Sequence, residues 1–149
     1  MPRANASLDS VKPGRSPGAW AGLLIGTVPM VMAACASALP WVILSQGPIH
    51  VGEAPGLSGF QRGWGWVSFI AAVAALTCYI AGMLLEDKWL IVSAMAGNLV
   101  VTGVVVYNLW FATGEYYGSA PWGLFLGLAG GILGLIFMLF AFMIVTSRG

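Results

Sequence analysis

Charge is what this chain has least of. Asp, Glu, Lys and Arg make up 7% of its 149 residues, against about 25% in a typical soluble domain. A chain this poor in polar groups cannot cover a water-exposed surface, which argues against a soluble globular fold. Cysteine is nearly as scarce. Cys35 and Cys78 stand alone in apolar surroundings and cannot form the CxxC pair of a thiol oxidoreductase; they read as small hydrophobic fillers. A single histidine, His50, leaves bis-imidazole haem ligation without its second ligand. His50 and Glu53 are three residues apart, but two ligands in a Gly/Pro-rich segment make a poor metal site. No glycine-rich loop carries the Lys and Ser/Thr of a phosphate cradle, and no basic patch points to nucleic acid. No cofactor, metal site or catalytic constellation is expected, and the chain is not read as an enzyme.

What is present is apolar length. The hydrophobic residue types reach 59%, concentrated in four stretches at 19–44, 64–85, 89–111 and 122–145. A helix needs roughly 20 apolar residues to cross a hydrocarbon core of about 30 Å. Each stretch meets that length, so the expected fold is all-α: a polytopic membrane protein with a four-transmembrane-helix bundle as one domain. The remainder divides into an N-terminal segment at 1–18, an outer loop at 45–63 and a tail at 146–149. Arg3, Lys12, Arg15, Lys88 and Arg148 fall on one side of the membrane in this arrangement, and only Arg62 on the other. By the positive-inside rule both termini are expected in the cytoplasm, with the bacterial inner membrane as the expected location. All seven tryptophans, at 20, 41, 64, 66, 89, 110 and 122, fall near the ends of these stretches. An indole suits the headgroup region, so all seven are expected as interfacial anchors.

The first stretch has features of an export signal. A basic segment precedes it, small residues occupy 34 and 36–38, and Met32-Ala33-Ala34-Cys35 loosely matches a lipobox. The apolar run nevertheless continues through Leu39-Pro40-Trp41-Val42-Ile43-Leu44 with no polar sequence after the site. A retained helix is therefore expected.

Lipid tails are as apolar as leucine, so close backbone approach and polar contacts must hold such helices together. Gly18, Gly22 and Gly26 recur at steps of four in the first stretch, and Gly123, Gly127 and Gly131 in the last, with Gly134 beyond them. These are expected packing surfaces, against another helix or another subunit. Alanine-rich helix two is a further candidate. Pro29 removes a hydrogen bond from the Ile25 carbonyl and predicts a kink, with Thr27 or a neighbouring helix helping to satisfy the exposed group. Among intramembrane polar residues, Asn98 and Thr77 lie at matching depths on consecutive helices, which predicts an Asn98–Thr77 hydrogen bond. Thr102, four residues on, extends the same face.

No Asp, Glu, Lys, Arg or His lies deep in a stretch. Proton-coupled transport commonly needs such a group, so proton-driven export by one subunit is not expected. The outer loops offer the recognition candidates: His50, Glu53, Arg62, Trp64 and Trp66 in one, Glu115, Tyr116 and Tyr117 in the other. Arg62 and Glu115 are placed to pair, although an exposed pair contributes little. The four-helix layout invites comparison with claudin-like proteins, but their paired loop cysteines are absent. Leu39-Pro40-Trp41, Ser58-Gly59 and Gly63-Trp64-Gly65-Trp66 resemble small four-helix membrane proteins of Gram-positive and actinobacterial genomes. That resemblance spans the first helix, the outer loop and the start of the second helix, and transfers no functional residue. The leading expectation is a noncatalytic accessory or scaffold subunit embedded in the lipid bilayer against other membrane subunits. The alternative is an oligomeric channel or transporter whose pathway runs between helices or copies.

Overall fold

The computed structural model describes residues 17–43, 56–61, 63–115 and 122–147. It is a bundle of four helices: α1 Pro17–Ala36, α2 Trp64–Leu85, α3 Lys88–Glu115 and α4 Trp122–Ser147. Two short strands, β1 Pro40–Ile43 and β2 Gly56–Ser58, pair antiparallel between α1 and α2. Three helical segments, Trp64–Leu85, Lys88–Trp110 and Trp122–Ser147, are long and apolar enough to cross a membrane. The chain is a multi-pass, lipid-embedded protein.

The first apolar stretch does not form one helix to residue 44. Helix α1 ends at Ala36, and the chain tightens through Ser37 N–H to Ala34 O, Ala38 N–H to Cys35 O and Leu39 N–H to Ala36 O. Pro40 supplies the reason. Its ring would clash with the carbonyl four residues back, and it drives Leu39 out of the helical region. Trp41, Val42 and Ile43 are aromatic or β-branched and suit an extended strand. Strand β1 then pairs Val42 with Leu57 and Ile43 with Gly56, with an irregularity between Pro40 and Val42.

Consecutive helices run antiparallel, as the paired contacts Gly26–Tyr79, Gly82–Ile91 and Gly97–Ala75, and Gly127–Val105 and Gly131–Thr102 show. The turn from α2 to α3 is only Glu86 and Asp87. Glu86 takes the left-handed conformation (φ 56°), the Asp87 N–H returns to the Gly82 carbonyl at 3.0 Å, and the Asp87 carboxylate accepts the Trp89 N–H at 2.8 Å. One turn thus closes α2 and caps α3. Around the bundle α1 packs on α2, α2 on α3, α3 on α4, and α4 back on α1.

The interior is filled in three levels. Met30, Tyr79, Ile91 and Met138 pack with Ala75, Ala94 and Ala141 toward the Glu86–Asp87 end. Ala33, Ala72 and Val101 occupy the middle. Trp41, Val105 and Leu124 close the end nearest the β-ribbon. Outward faces carry Leu24, Ile25, Val28, Ile70, Leu99, Ile132 and Phe140, all exposed. Helices apolar on every side are the pattern of a bundle solvated by lipid.

The α4 glycines are spent inside this bundle. A Cβ on Gly130 would lie 2.6 Å from the Pro29 carbonyl oxygen and 2.9 Å from the Ala33 nitrogen. Gly123 faces the Ala36 and Pro40 carbonyls, and Gly127 meets Val105 and Ala36. Gly131 abuts Thr102 of α3, and Gly134 abuts Asn98. The α1 series behaves differently. Gly26 is pressed against the Tyr79 hydroxyl of α2, while Gly22 has open space beside it. Gly18 lies in α1, and its surroundings fall outside the described residues. Helix α1 therefore meets α4 through Pro29, Ala33 and Ala36 rather than through its glycines.

Six tryptophans sit exposed near helix ends: Trp20, Trp64, Trp66, Trp89, Trp110 and Trp122. Trp41 departs from the interfacial expectation. It is wholly buried, and its Nε1–H donates to the Ala36 carbonyl at 2.8 Å. The indole fills the space left by Gly59 and Gly123, where any Cβ would collide with it. Its depth is set by the early end of α1, which turns the chain back over the bundle.

Candidate functional site

Polar groups inside an apolar bundle are the natural place to look for function. Asn98 is ten residues beyond Lys88, about 15 Å along α3 and so near the middle of a 30 Å core. It is fully buried, and its Nδ2 donates to the Gly131 carbonyl at 2.6 Å. The carbonyl only accepts, which fixes the amide with nitrogen toward α4. Gly134 makes the approach possible, because a Cβ there would lie 2.8 Å from Asn98 Nδ2. Oδ1 is buried with no hydrogen-bond partner. Thr102 donates its hydroxyl back to the Asn98 carbonyl at 2.9 Å and packs on Gly131. The result is a polar seam between α3 and α4.

Thr77 is not part of it. Its hydroxyl donates to the Val73 carbonyl of its own helix at 2.9 Å, and the residue is exposed. The expected Asn98–Thr77 bond is corrected to Asn98–Gly131. Thr77 lies off the face of α2 that turns inward through Gly65, Ser68, Ala72, Ala75, Tyr79 and Gly82. Thr27 likewise bonds the Leu24 carbonyl at 2.7 Å rather than that of Ile25.

Several interior polar residues were not singled out by sequence reasoning. Asn108 is buried and donates to the Val104 carbonyl at 2.8 Å. Tyr79 donates its hydroxyl to the Gly22 carbonyl at 3.2 Å and ties α2 to α1. Ser37 and Ser68 are buried with unpartnered hydroxyls. Spacing carries the signal for two of them: Asn98, Val101, Val105 and Asn108 share one helical face, and Ser68 belongs to the small-residue face of α2.

At the ribbon end, Gly63 (φ 80°) precedes α2 in a conformation that suits glycine. Gly65 rests directly on the Gly59 backbone, with its N–H donating to the Gly59 carbonyl at 2.9 Å. Trp66 packs against Phe60 at 4.6 Å between ring centroids with the planes tilted by 43°, and lies edge-on to Phe69. Trp64 packs on Tyr107 at 5.7 Å. Of the other recognition candidates, His50, Glu53, Arg62, Tyr116 and Tyr117 lie outside the described residues, as does the side chain of Glu115 at the end of α3. Among the described residues no group of three His, Cys, Asp or Glu side chains could hold a metal. Cys35 is exposed on α1 and Cys78 half-buried on α2, both as free thiols.

The seam is built as a cross-link. The Asn98 Nδ2 and the Thr102 hydroxyl are each committed to a backbone carbonyl, and the amide oxygen alone is left over. Hydrogen bonds of this kind average about 0.6 kcal/mol in membrane bundles, with a maximum near 1.7 kcal/mol. Asn98→Val is expected to lower stability within that range, because it removes one bond and also one unpartnered oxygen. Thermal unfolding in mild detergent measures it; a loss several times larger would mean the amide does more than bridge α3 and α4. Comparison with protein-family models, curated proteins and solved structures returns no match to this chain.

Proposed function

We propose that this protein is a noncatalytic accessory or scaffold subunit of a larger membrane complex. The observation that carries the reading is the filled interior: Met30, Ala33, Ala72, Val101, Val105 and Met138 are fully buried along the bundle axis, and Trp41 closes one end. Such packing leaves the outer faces for interaction and favours a rigid element over a conduit through a single chain. In this reading α1, whose 20 residues span about 30 Å, is the fourth crossing. Both termini lie in the cytoplasm of a bacterial inner membrane, following the basic residues. Trp64, Trp66 and the loops beside them then belong to the outer recognition face.

One tagged protein tests the whole reading. A C-terminal affinity tag is used for native purification in mild detergent followed by mass spectrometry, and for protease protection in inverted vesicles. A stable heteromer and a tag cleaved in inverted vesicles are the expected results. A homo-oligomer that conducts ions or solutes after reconstitution would replace the accessory role with a pathway between copies. A tag protected in inverted vesicles would reverse the orientation.

A further inference from the structure

The outer surface of the bundle is broken by a groove of about 330 Å³ between α3 and α4, lined by Val92, Met95, Ala96, Leu99, Leu139 and Phe142. Every lining side chain is apolar, and the groove is open to the outside of the bundle. The α3 half of the lining recurs at helical spacing, and the same face continues one turn back to exposed Lys88. Trp89, also exposed, stands beside Lys88 where an interfacial indole belongs.

We propose that this groove is a phospholipid site, holding one acyl chain along its floor with the lipid phosphate at Lys88. Length supports the assignment. From Lys88 to Leu99 is eleven residues, about 16 Å of helix, and one leaflet's share of the hydrocarbon core is about 15 Å. A chain descending from the headgroup level would therefore end near the bilayer centre, where the lining ends. Charge selects the headgroup. Lys88 lies one turn before Val92 on α3, directly after Glu86 and Asp87 in the α2–α3 turn, so the chain beside the groove carries a cation for phosphate next to acidic residues that oppose a net anionic lipid. A zwitterionic headgroup with phosphate and ammonium, of the ethanolamine type, is complementary to that order of charges. The occupant is a phospholipid of the surrounding bilayer, independent of whatever protein partner the other faces carry.

Native mass spectrometry of delipidated protein, titrated with phosphatidylethanolamine or phosphatidylglycerol of identical chains, tests this. The expected result is one phosphatidylethanolamine retained per chain at activation energies that strip the remaining lipid, with phosphatidylglycerol retained less. Ala96→Phe fills the groove at an exposed position and is expected to abolish the retained lipid. Ile70→Phe, exposed on α2 away from the groove, is expected to keep it. Lys88→Gln is expected to weaken retention about fivefold, the worth of one basic residue near a lipid surface. Equal lipid retention by Ala96→Phe and Ile70→Phe would overturn the site and leave only nonspecific annular lipid. A retained mass that is a second copy or another protein would also overturn it. Phosphatidylglycerol held as well as phosphatidylethanolamine, with Lys88→Gln unchanged, would overturn the headgroup assignment.

Discussion

Gly130→Ala is expected to destabilise the bundle by about 1–3 kcal/mol, the usual cost of forcing a methyl group into a packed interior. The added Cβ would meet the Pro29 carbonyl oxygen at 2.6 Å and the Ala33 nitrogen at 2.9 Å. Both are backbone atoms, so no rotamer change relieves the contact and α1 must move away from α4. Gly130→Leu is expected to prevent the α1–α4 contact altogether. The same substitution elsewhere carries the opposite expectation. Gly22→Ala and Gly103→Ala introduce a methyl with nothing within 4 Å, and each is expected to be neutral or to stabilise by up to about 1 kcal/mol through helix propensity. Unfolding temperatures of the three alanine variants in one detergent provide the check. Equal shifts would show that small residues in α4 reflect general glycine enrichment rather than contact with α1.

Trp41→Ala carries the other large effect, an expected loss of about 3–5 kcal/mol for removing a fully buried aromatic side chain. Trp41 lies among Val105, Leu124 and the carbonyl of Ala36, so truncation leaves a cavity at the junction of the ribbon, α3 and α4. Trp41→Phe retains most of the volume and drops the indole N–H, and is expected to cost about 0.5–1.5 kcal/mol for the hydrogen bond, plus a smaller packing term. Trp110→Ala is the contrast. Trp110 is 80% exposed, and its loss is expected to alter membrane positioning more than unfolding temperature. Should Trp41→Ala unfold no earlier than Trp110→Ala, the ribbon would be an independent appendage rather than part of the core.

Much of the architecture is legible in the amino-acid sequence. The second apolar stretch, 64–85, coincides with α2, and those at 89–111 and 122–145 differ from α3 and α4 by a few terminal residues. Length and hydropathy suffice where a helix is apolar from end to end. They failed at Leu39–Ile43, because an apolar strand and an apolar helix read alike over a few residues, and only Pro40 marks the change. Azimuth was the second difficulty. Asn98 bonds α4 and not α2, since a helix apolar on all sides offers no polar face from which to judge what lies inside. Small residues carried the missing direction: Gly65, Ser68, Ala72, Ala75 and Gly82 mark the buried side of α2, and Thr77 is off it. Trp41 could not be told from its interfacial counterparts, because its burial depends on a chain reversal more than on its neighbours in sequence.

The contact of α1 with α4 has a consequence for how the chain is made. These are the first and fourth of the described helices, and they form one of the four packing faces of the ring. Asn98 and Trp41 likewise find partners on α4, through Gly131 and Leu124. Helices α2 and α3 share a two-residue turn and can pair as soon as both have emerged from synthesis. The ring itself stays open until α4 arrives. Without α4 an amide, an indole and the backbone around Pro29 have no seats, so its arrival locks the three helices made before it.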